Sequence, residues 1–266
     1  MHGPAANPVI DPNRPSPARI YDVWLGGVHN FAADRAVANR ALELLPELPV
    51  ICRENRAFLG RAVRFAAERG IRQFLDLGAG IPAPGDVRET ARAVRPDARI
   101  GHVDRDPTAV LHASAILADD PGSVVLQDDL LHSESILADP GLRGLIDFAE
   151  PVCVLLVAVL HFLPDGPELT AALRHYREIA APGSVLAVSH ASAGSRPDQL
   201  DRIADLYQRT GTPLVMRDRT ELATLCAGWQ MVEPGVVYTP EWRPEPGSPR
   251  AAEPASYETL AAVAVR

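Results

Sequence analysis

The sequence predicts an α/β protein built on a mostly parallel, seven-stranded sheet with helices on both faces. Three observations carry this. Strand and helix patterns alternate from Gln73 to Ser189. Apolar runs such as Val152–Val157 read through without a polar break, as strands buried on both faces do. And the first strand runs directly into a glycine turn, Phe74-Leu75-Asp76-Leu77-Gly78-Ala79-Gly80-Ile81-Pro82, at the end of the sheet where open α/β folds hold their ligands.

The elements follow in order. Residues 1–17 repeat Pro, Asn and Gly without an apolar period and read as a mobile or loosely draped arm. Apolar residues recur at helical spacing over Ala33–Leu45 and Arg53–Arg69. The alternation then begins: strand Gln73–Leu77, helix Asp86–Val94, strand Arg99–Val103, helix Pro107–Leu117, strand Val124–Gln127 and a short helix at Ser133–Leu137. Strand Val152–Val157, helix Pro167–Ala180 and strand Val185–Ser189 continue it, followed by helices Asp198–Thr210 and Arg219–Ala227. Trp229–Val237 and Leu260–Val265 close the sheet as an antiparallel pair, joined by a proline-rich loop at Trp242–Pro254.

Composition narrows the function. The net charge of −8 lacks the basic footprint of a nucleic-acid binder. All 26 basic residues are arginine, which excludes a Schiff-base lysine and a Walker-type phosphate lysine. Cys52, Cys153 and Cys226 are too widely spaced for a disulfide framework or a Cys-x-x-Cys metal site, and no histidine pair has a zinc helix spacing, so no metal is expected. No apolar run is long enough to span a bilayer, which predicts a cytoplasmic protein without a membrane partner.

Chemistry collects at the carboxyl ends of the strands. Gly78 and Gly80 let a ligand approach the backbone, while Asp76 would repel a pyrophosphate and attract an ammonium group. Pro82 removes an N–H that a phosphate would use. The turn suits a cationic, phosphate-free nucleoside, and S-adenosylmethionine has those features. Asp104, at the end of the second strand, can accept both ribose hydroxyls; its alternative is a solvated strand-end acid, and Asp106 before Pro107 reads as a helix cap. In Asp128-Asp129-Leu130 a carboxylate can take an adenine amino group and a backbone N–H a ring nitrogen, although one acid can instead cap a helix. His161 and His190 end the fourth and fifth strands, where each reads either as a general base or as a hydrogen-bonded structural residue. His102 lies within a strand and is expected to pack.

Arg19-Ile20-Tyr21-Asp22-Val23-Trp24-Leu25-Gly26-Gly27, followed by Asn30-Phe31 and Asp34-Arg35, resembles the opening signature of the actinobacterial SAM-dependent methyltransferase family once called DUF574. The resemblance continues through Arg53–Leu59, Gly70–Gly78, Val103–Pro107, Val157–Phe162 and Glu241–Pro244, and covers nearly the whole chain after residue 14. It implies a class I methyltransferase fold: an arm over 1–17, a helical lid over 18–70 and a SAM-binding core over 71–266. It further implies that Tyr21, Asn30, Phe31 and Arg35 close over the methionine end of the cofactor and that Arg56 meets its carboxylate. Alternatively, Asp34 caps a helix, while Arg35 and Arg56 are solvated or pair with nearby acids. Arg105 and Ala158, inside the matching segments, are carried over as cofactor contacts. The chain departs from the family beside the turn, with Ala79 and Ala83 where threonines are usual and Asp86-Val87-Arg88 in place of Asn-Val-His.

The sequence thus reads as a SAM-dependent methyltransferase acting on a small-molecule acceptor, with S-adenosylhomocysteine as product and a homodimer as the assembly it allows. One rival is a catalytically silent SAM-binding protein of the same fold. The other is an NAD-dependent oxidoreductase, since Gly78-x-Gly80-x-x-Ala83 with Asp104 formally meets the dinucleotide fingerprint.

Overall fold

Alternation becomes architecture through the apolar strands, which must be covered on both faces. The computed structural model describes residues 10–245, 247 and 251–266. It begins with helices α1 (Pro17–Trp24), α2 (Ala32–Leu44) and α3 (Leu48–Glu68), followed by β1 (Gln73–Leu77), α4 (Val87–Val94), β2 (Arg99–Asp104), α5 (Pro107–Ile116) and β3 (Ser123–Gln127). Next come α6 (Ser133–Ala138), α7 (Pro140–Leu145), β4 (Cys153–Val157), α8 (Pro167–Ile179), β5 (Val185–Ala191), α9 (Pro197–Arg209) and α10 (Arg219–Leu225). Short strands β6 (Gln230–Met231) and β7 (Val237–Tyr238) and the long β8 (Thr259–Val265) complete the chain.

The sheet order is β3-β2-β1-β4-β5-β8-β6, with β7 also paired to β8. Strands β1 to β5 are parallel, and β8 runs antiparallel to β5 in register Val185↔Val265. The strand order reverses at β1, whose two neighbours are β2 and β4, so a crevice opens there beyond the carboxyl ends. The pleat splits each strand between two cores. Leu75, Leu77, Val154 and Leu156 face α6, α7, α8 and α10, whereas Phe74, Cys153 and Leu155 face α3 and α4. A third cluster joins α1, α2, the start of α3 and α9 through Ile20, Trp24, Ala41, Leu45, Leu200 and Ile203.

Local chemistry starts the helices. Asp86, Asp106, Asp139 and Asp218 each accept a backbone N–H from the first turn that they cap, at 2.7–2.9 Å. Asp106 is the cap that the sequence suggests, and Pro107 fills the first helical position. Helix α3 begins five residues ahead of the predicted start because Pro49 occupies its first turn. The predicted strand Trp229–Val237 is not continuous: only its two ends pair with β8, so eight strands stand where seven were expected. Helices α1 and α7 were not predicted.

Residues 1–9 of the expected arm lie outside the described residues. Its remainder is tied down. Ser16 N–H donates to Asp34 Oδ1 at 3.0 Å, and the Arg19 guanidinium reaches the carbonyls of Asp11 and Arg14. Arg19 Nε also pairs with Asp34 Oδ2 at 2.9 Å, and its Nη1 donates to Thr108 Oγ1 at 3.1 Å, so one buried cation links α1, α2 and α5. All three cysteines are buried free thiols.

Candidate active site

The glycine turn is pinned to β2 by Gly78 N–H and Ala79 N–H, which both donate to Val103 O, at 2.8 and 3.1 Å. Gly78 has φ +79°, and a Cβ there would lie 2.4 Å from Val159 Cγ2. Gly80 has φ +67° but faces open space, with no atom within 4 Å of such a Cβ. One glycine is therefore needed for packing and the other leaves room for a ligand. Gly80 N–H donates to Asp104 Oδ2 at 2.7 Å, and Asp106 N–H to Oδ1 at 2.8 Å. Each oxygen retains accepting capacity. Burial, reinforced by the Asp106 and Asp76 carboxylates, pushes Asp104 up to about 6 against the lowering effect of those two donors.

Asp76 is buried with Oδ2 3.6 Å from Nδ1 of His102, which packs within β2 as expected. Across the mouth Arg105 pairs with Asp129 Oδ2 at 3.4 Å. Asp129 Oδ1 also accepts Leu131 N–H, while Asp128 holds His132 Nδ1 at 2.7 Å. Leu130 is buried, and its carbonyl accepts the Tyr176 hydroxyl at 2.8 Å.

At the end of β4, Ala158 adopts φ +55°, a left-handed conformation that a side chain rarely tolerates. A polar chain holds it. Ala158 N–H donates to Ser189 Oγ at 3.0 Å, Ser189 Oγ to Asn55 Oδ1 at 2.5 Å, Asn55 Nδ2 to Tyr21 Oη at 3.0 Å, and Tyr21 Oη to Cys52 O at 3.0 Å. Burial pushes the Tyr21 phenol far up, so it remains a neutral member of this chain. Neither Asn55 nor Ser189 was singled out from sequence; Asn55 stood inside the matching segment Arg53–Leu59, which was the available signal.

The two histidines part company. His190 is wholly buried: Nδ1 meets Ala191 O at 2.7 Å and Nε2 accepts from Arg217 Nη1 at 2.6 Å. Burial and the Arg217 charge push it down to about 4. It does not line the cleft, and its free lone pair is occupied by Arg217, so the expectation of a second base does not fit this geometry. His161 lines the cleft; Ala191 N–H donates to its Nδ1 at 3.2 Å. Burial, His190 and Arg217 hold its imidazole well below the usual range.

These groups surround one cavity of about 670 Å³, which runs from the glycine turn to α9. Among the expected site residues, Tyr21, Arg56, Asp76, Gly78, Gly80, Asp104, Arg105, Asp129, Leu130, Ala158 and His161 line it. Pro82 borders a small side recess with Arg56, Asp76, Gly80 and His102. Asn30, Phe31 and Arg35 stand behind the wall. Asn30 Nδ2 donates to Asp22 Oδ2 at 2.8 Å, Arg35 Nη1 donates to Asn30 Oδ1 at 2.9 Å, and Phe31 lies under the Arg19 guanidinium. Asp22 itself lines the cavity and was missed. Among the described residues no His, Cys, Asp and Glu group forms a metal site, and no helix is long and apolar enough to cross a membrane.

Comparison with known proteins decides the family. The family model for S-adenosyl methyltransferases matches residues 4–266. The chain belongs to this family. A proposed methyltransferase from Thermobifida fusca is 38% identical over 96% of both chains, with a TM-score of 0.89. A DUF574 family protein from Streptomyces avermitilis is 33% identical over 95% of this chain and 98% of its own, also at 0.89. The N-methyltransferase NodS of Bradyrhizobium japonicum, solved with S-adenosylhomocysteine, is 17% identical over 93% of this chain and 98% of its own, with a TM-score of 0.50, a likeness of fold alone. No curated protein matches.

The protein is thus a SAM-dependent methyltransferase with the class I fold, and the dinucleotide reading falls. The geometry of this methyltransferase fits its cofactor. Gly80 offers an open approach, two carboxylates stand beside the turn, and the Arg56 guanidinium is engaged only weakly, through Nη2 to Ala83 O at 3.5 Å. Ala79 and Ala83 both line the methyltransferase cavity without closing it.

Proposed function

We propose that the protein methylates a small-molecule acceptor held between the helical cover of residues 18–70 and the ends of β4 and β5. The observation that carries this is the cavity of about 670 Å³, which falls in the range of small-molecule sites and extends well past the glycine turn. When bound, S-adenosylmethionine supplies an electrophilic methyl group on a sulfonium.

The chain's residues bind and orient. Asp104 accepts the ribose hydroxyls, Asp129 and Leu130 flank the adenine, Asp76 faces the ammonium and Arg56 the carboxylate of the methionine portion. Arg105 and Pro82 border this half, and Tyr21 and Ala158 mark its boundary with the acceptor half. Asn30, Phe31 and Arg35 act from behind by holding Asp22 and Arg19. Holding two reactants in line is worth about 7–11 kcal/mol of barrier, so the reaction needs position more than acid–base help. A net charge of −8 favours a small acceptor over nucleic acid.

Calorimetry with S-adenosylhomocysteine tests the cofactor half: micromolar binding is expected, lost in Asp104→Ala. A wild-type protein that binds neither the product nor S-adenosylmethionine would overturn the reading.

A further inference from the structure

The cofactor residues occupy one half of the cavity and leave the other without an assignment. Beyond Tyr21 and Ala158 its wall is formed by Leu48 and Ile51 of α3, Leu200 and Ile203 of α9, and Phe162. These belong to the third hydrophobic cluster, so the core shared by the N-terminal helices and α9 is hollow where it meets the cofactor site. A filled core excludes voids larger than a water, so a compartment kept open in this way is shaped for an occupant.

The carboxylate in this half is already paired, and Arg14, beside Gly211 at the end of α9, adds a positive charge. Glu258 lines this half, but its carboxylate receives Ser195 N–H at 3.2 Å, Ser195 Oγ at 3.1 Å and Arg196 Nε at 2.9 Å. Placing an ammonium here would bury a cation with no free counter-charge.

His161 supplies the polar handle. Its Nδ1 lone pair accepts Ala191 N–H at 3.2 Å, which in a neutral ring puts the hydrogen on Nε2. Nε2 has no hydrogen-bond partner among the described residues, yet it is not among the fully enclosed polar atoms lacking one, so it opens on the cavity that His161 lines. Burial keeps the ring neutral. Such an imidazole gives a hydrogen bond. Taking a proton instead would require a buried charge or the loss of the Ala191 contact.

We infer that the acceptor has an uncharged, apolar body seated among Leu48, Ile51, Leu200 and Ile203, with an oxygen that accepts a hydrogen bond from His161 Nε2, and that His161 orients the acceptor without deprotonating it. This rests on the small-molecule methyltransferase reading above.

Fluorescence titration of the full chain, with and without saturating S-adenosylhomocysteine, tests it with β-naphthol, naphthalene and naphthylmethylammonium as probes. β-Naphthol should bind about three- to tenfold tighter than naphthalene, the margin of one net hydrogen bond. The ammonium probe should bind weaker still. Ile203→Trp, which fills the compartment, should weaken β-naphthol about tenfold and leave S-adenosylhomocysteine within about twofold. His161→Phe should erase the preference for β-naphthol over naphthalene, and His161→Gln, which retains an N–H donor, should restore part of it. Nitrogen chemical shifts of the wild-type His161 should report the Nε2-protonated neutral ring from about pH 5.5 to 8. Equal binding of naphthalene and β-naphthol, preference for the cation, indifference to Ile203→Trp, or a His161 that protonates near its ordinary value would each overturn the inference. Failure of S-adenosylhomocysteine to bind would sink the cofactor reading instead, and the titration without it would still decide the compartment.

Discussion

At the scale of the residue, Gly78 and Gly80 share a left-handed backbone and differ in what a methyl group would meet. Gly78→Ala drives a Cβ into Val159 in addition to its backbone strain, and is expected to lower stability by about 2–4 kcal/mol in urea unfolding. Gly80→Ala meets open space and should lose about 1–2 kcal/mol, yet bind S-adenosylhomocysteine much more weakly, because its methyl projects where the ligand comes in. Equal stability loss in the two variants would contradict the packing argument. Asp104 sets the pH dependence. Its folded value is raised from 3.8 to about 6, so the native state holds that proton more tightly than the unfolded chain, and the stability this contributes is full below 3.8, is lost as pH rises to about 6 and is flat above that. Ribose hydroxyls donate to the ionised form. Cofactor affinity should therefore be flat above about pH 7 and fall about tenfold per unit below about pH 6, and Asp104→Asn should flatten the curve along with weakening binding. An unchanged slope in that variant would move the titrating group elsewhere.

At the scale of the element, the chain from Ala158 through Ser189 and Asn55 to Tyr21 couples the end of β4 to β5, α3 and α1. Asn55→Ala leaves buried partners unmet and is expected to cost about 2 kcal/mol, or about 4–8 °C in thermal unfolding. A loss under 1 °C would mean that water replaces the amide. The elements were legible in the sequence where their pattern was local, and illegible where distant contacts made them. The five parallel strands announce themselves by apolar runs, and the cap Asp106 by its place before Pro107. Helix α1 was missed because the arm was drawn to Pro17, although Ser16 followed by proline is a helix start, with Ser16 Oγ accepting Arg19 N–H at 3.3 Å. Helix α7 carries Gly141 and Gly144, which argue against a helix until the burial of Leu142 overrides them. The strand expected over Trp229–Val237 divides because Pro234 and Gly235 turn the chain between its paired ends. His190 illustrates the same limit at the site: its strand-end position was readable, but its partner Arg217 comes from the irregular stretch before α10, and no local pattern places it there.

At the scale of the whole molecule, the sheet gives a rigid floor and the N-terminal helices form a separate core with α9 above it. A wall that belongs to its own core can move as a unit. Helix α3 runs through both bodies, its start in the upper core and its later turns packed against the sheet, while α1, α2 and α9 are tied down by polar links: Arg19 to Thr108, Tyr21 to Asn55, and Arg196, which bridges Glu47 and Glu258. Cofactor binding between them should tighten both. S-adenosylhomocysteine at about a hundred times its dissociation constant should stabilise the fold by about 2.7 kcal/mol, raising the melting temperature by about 5–10 °C, while NAD at the same concentration leaves it unchanged. If residues 18–70 act as a lid, hydrogen exchange should slow throughout α1 and α2 on binding, although α2 itself does not line the cavity. Protection confined to the glycine turn and the ends of β2 and β3, with exchange in α1 and α2 unaltered, would mean that the helical cover is a fixed wall and that the acceptor enters by another route.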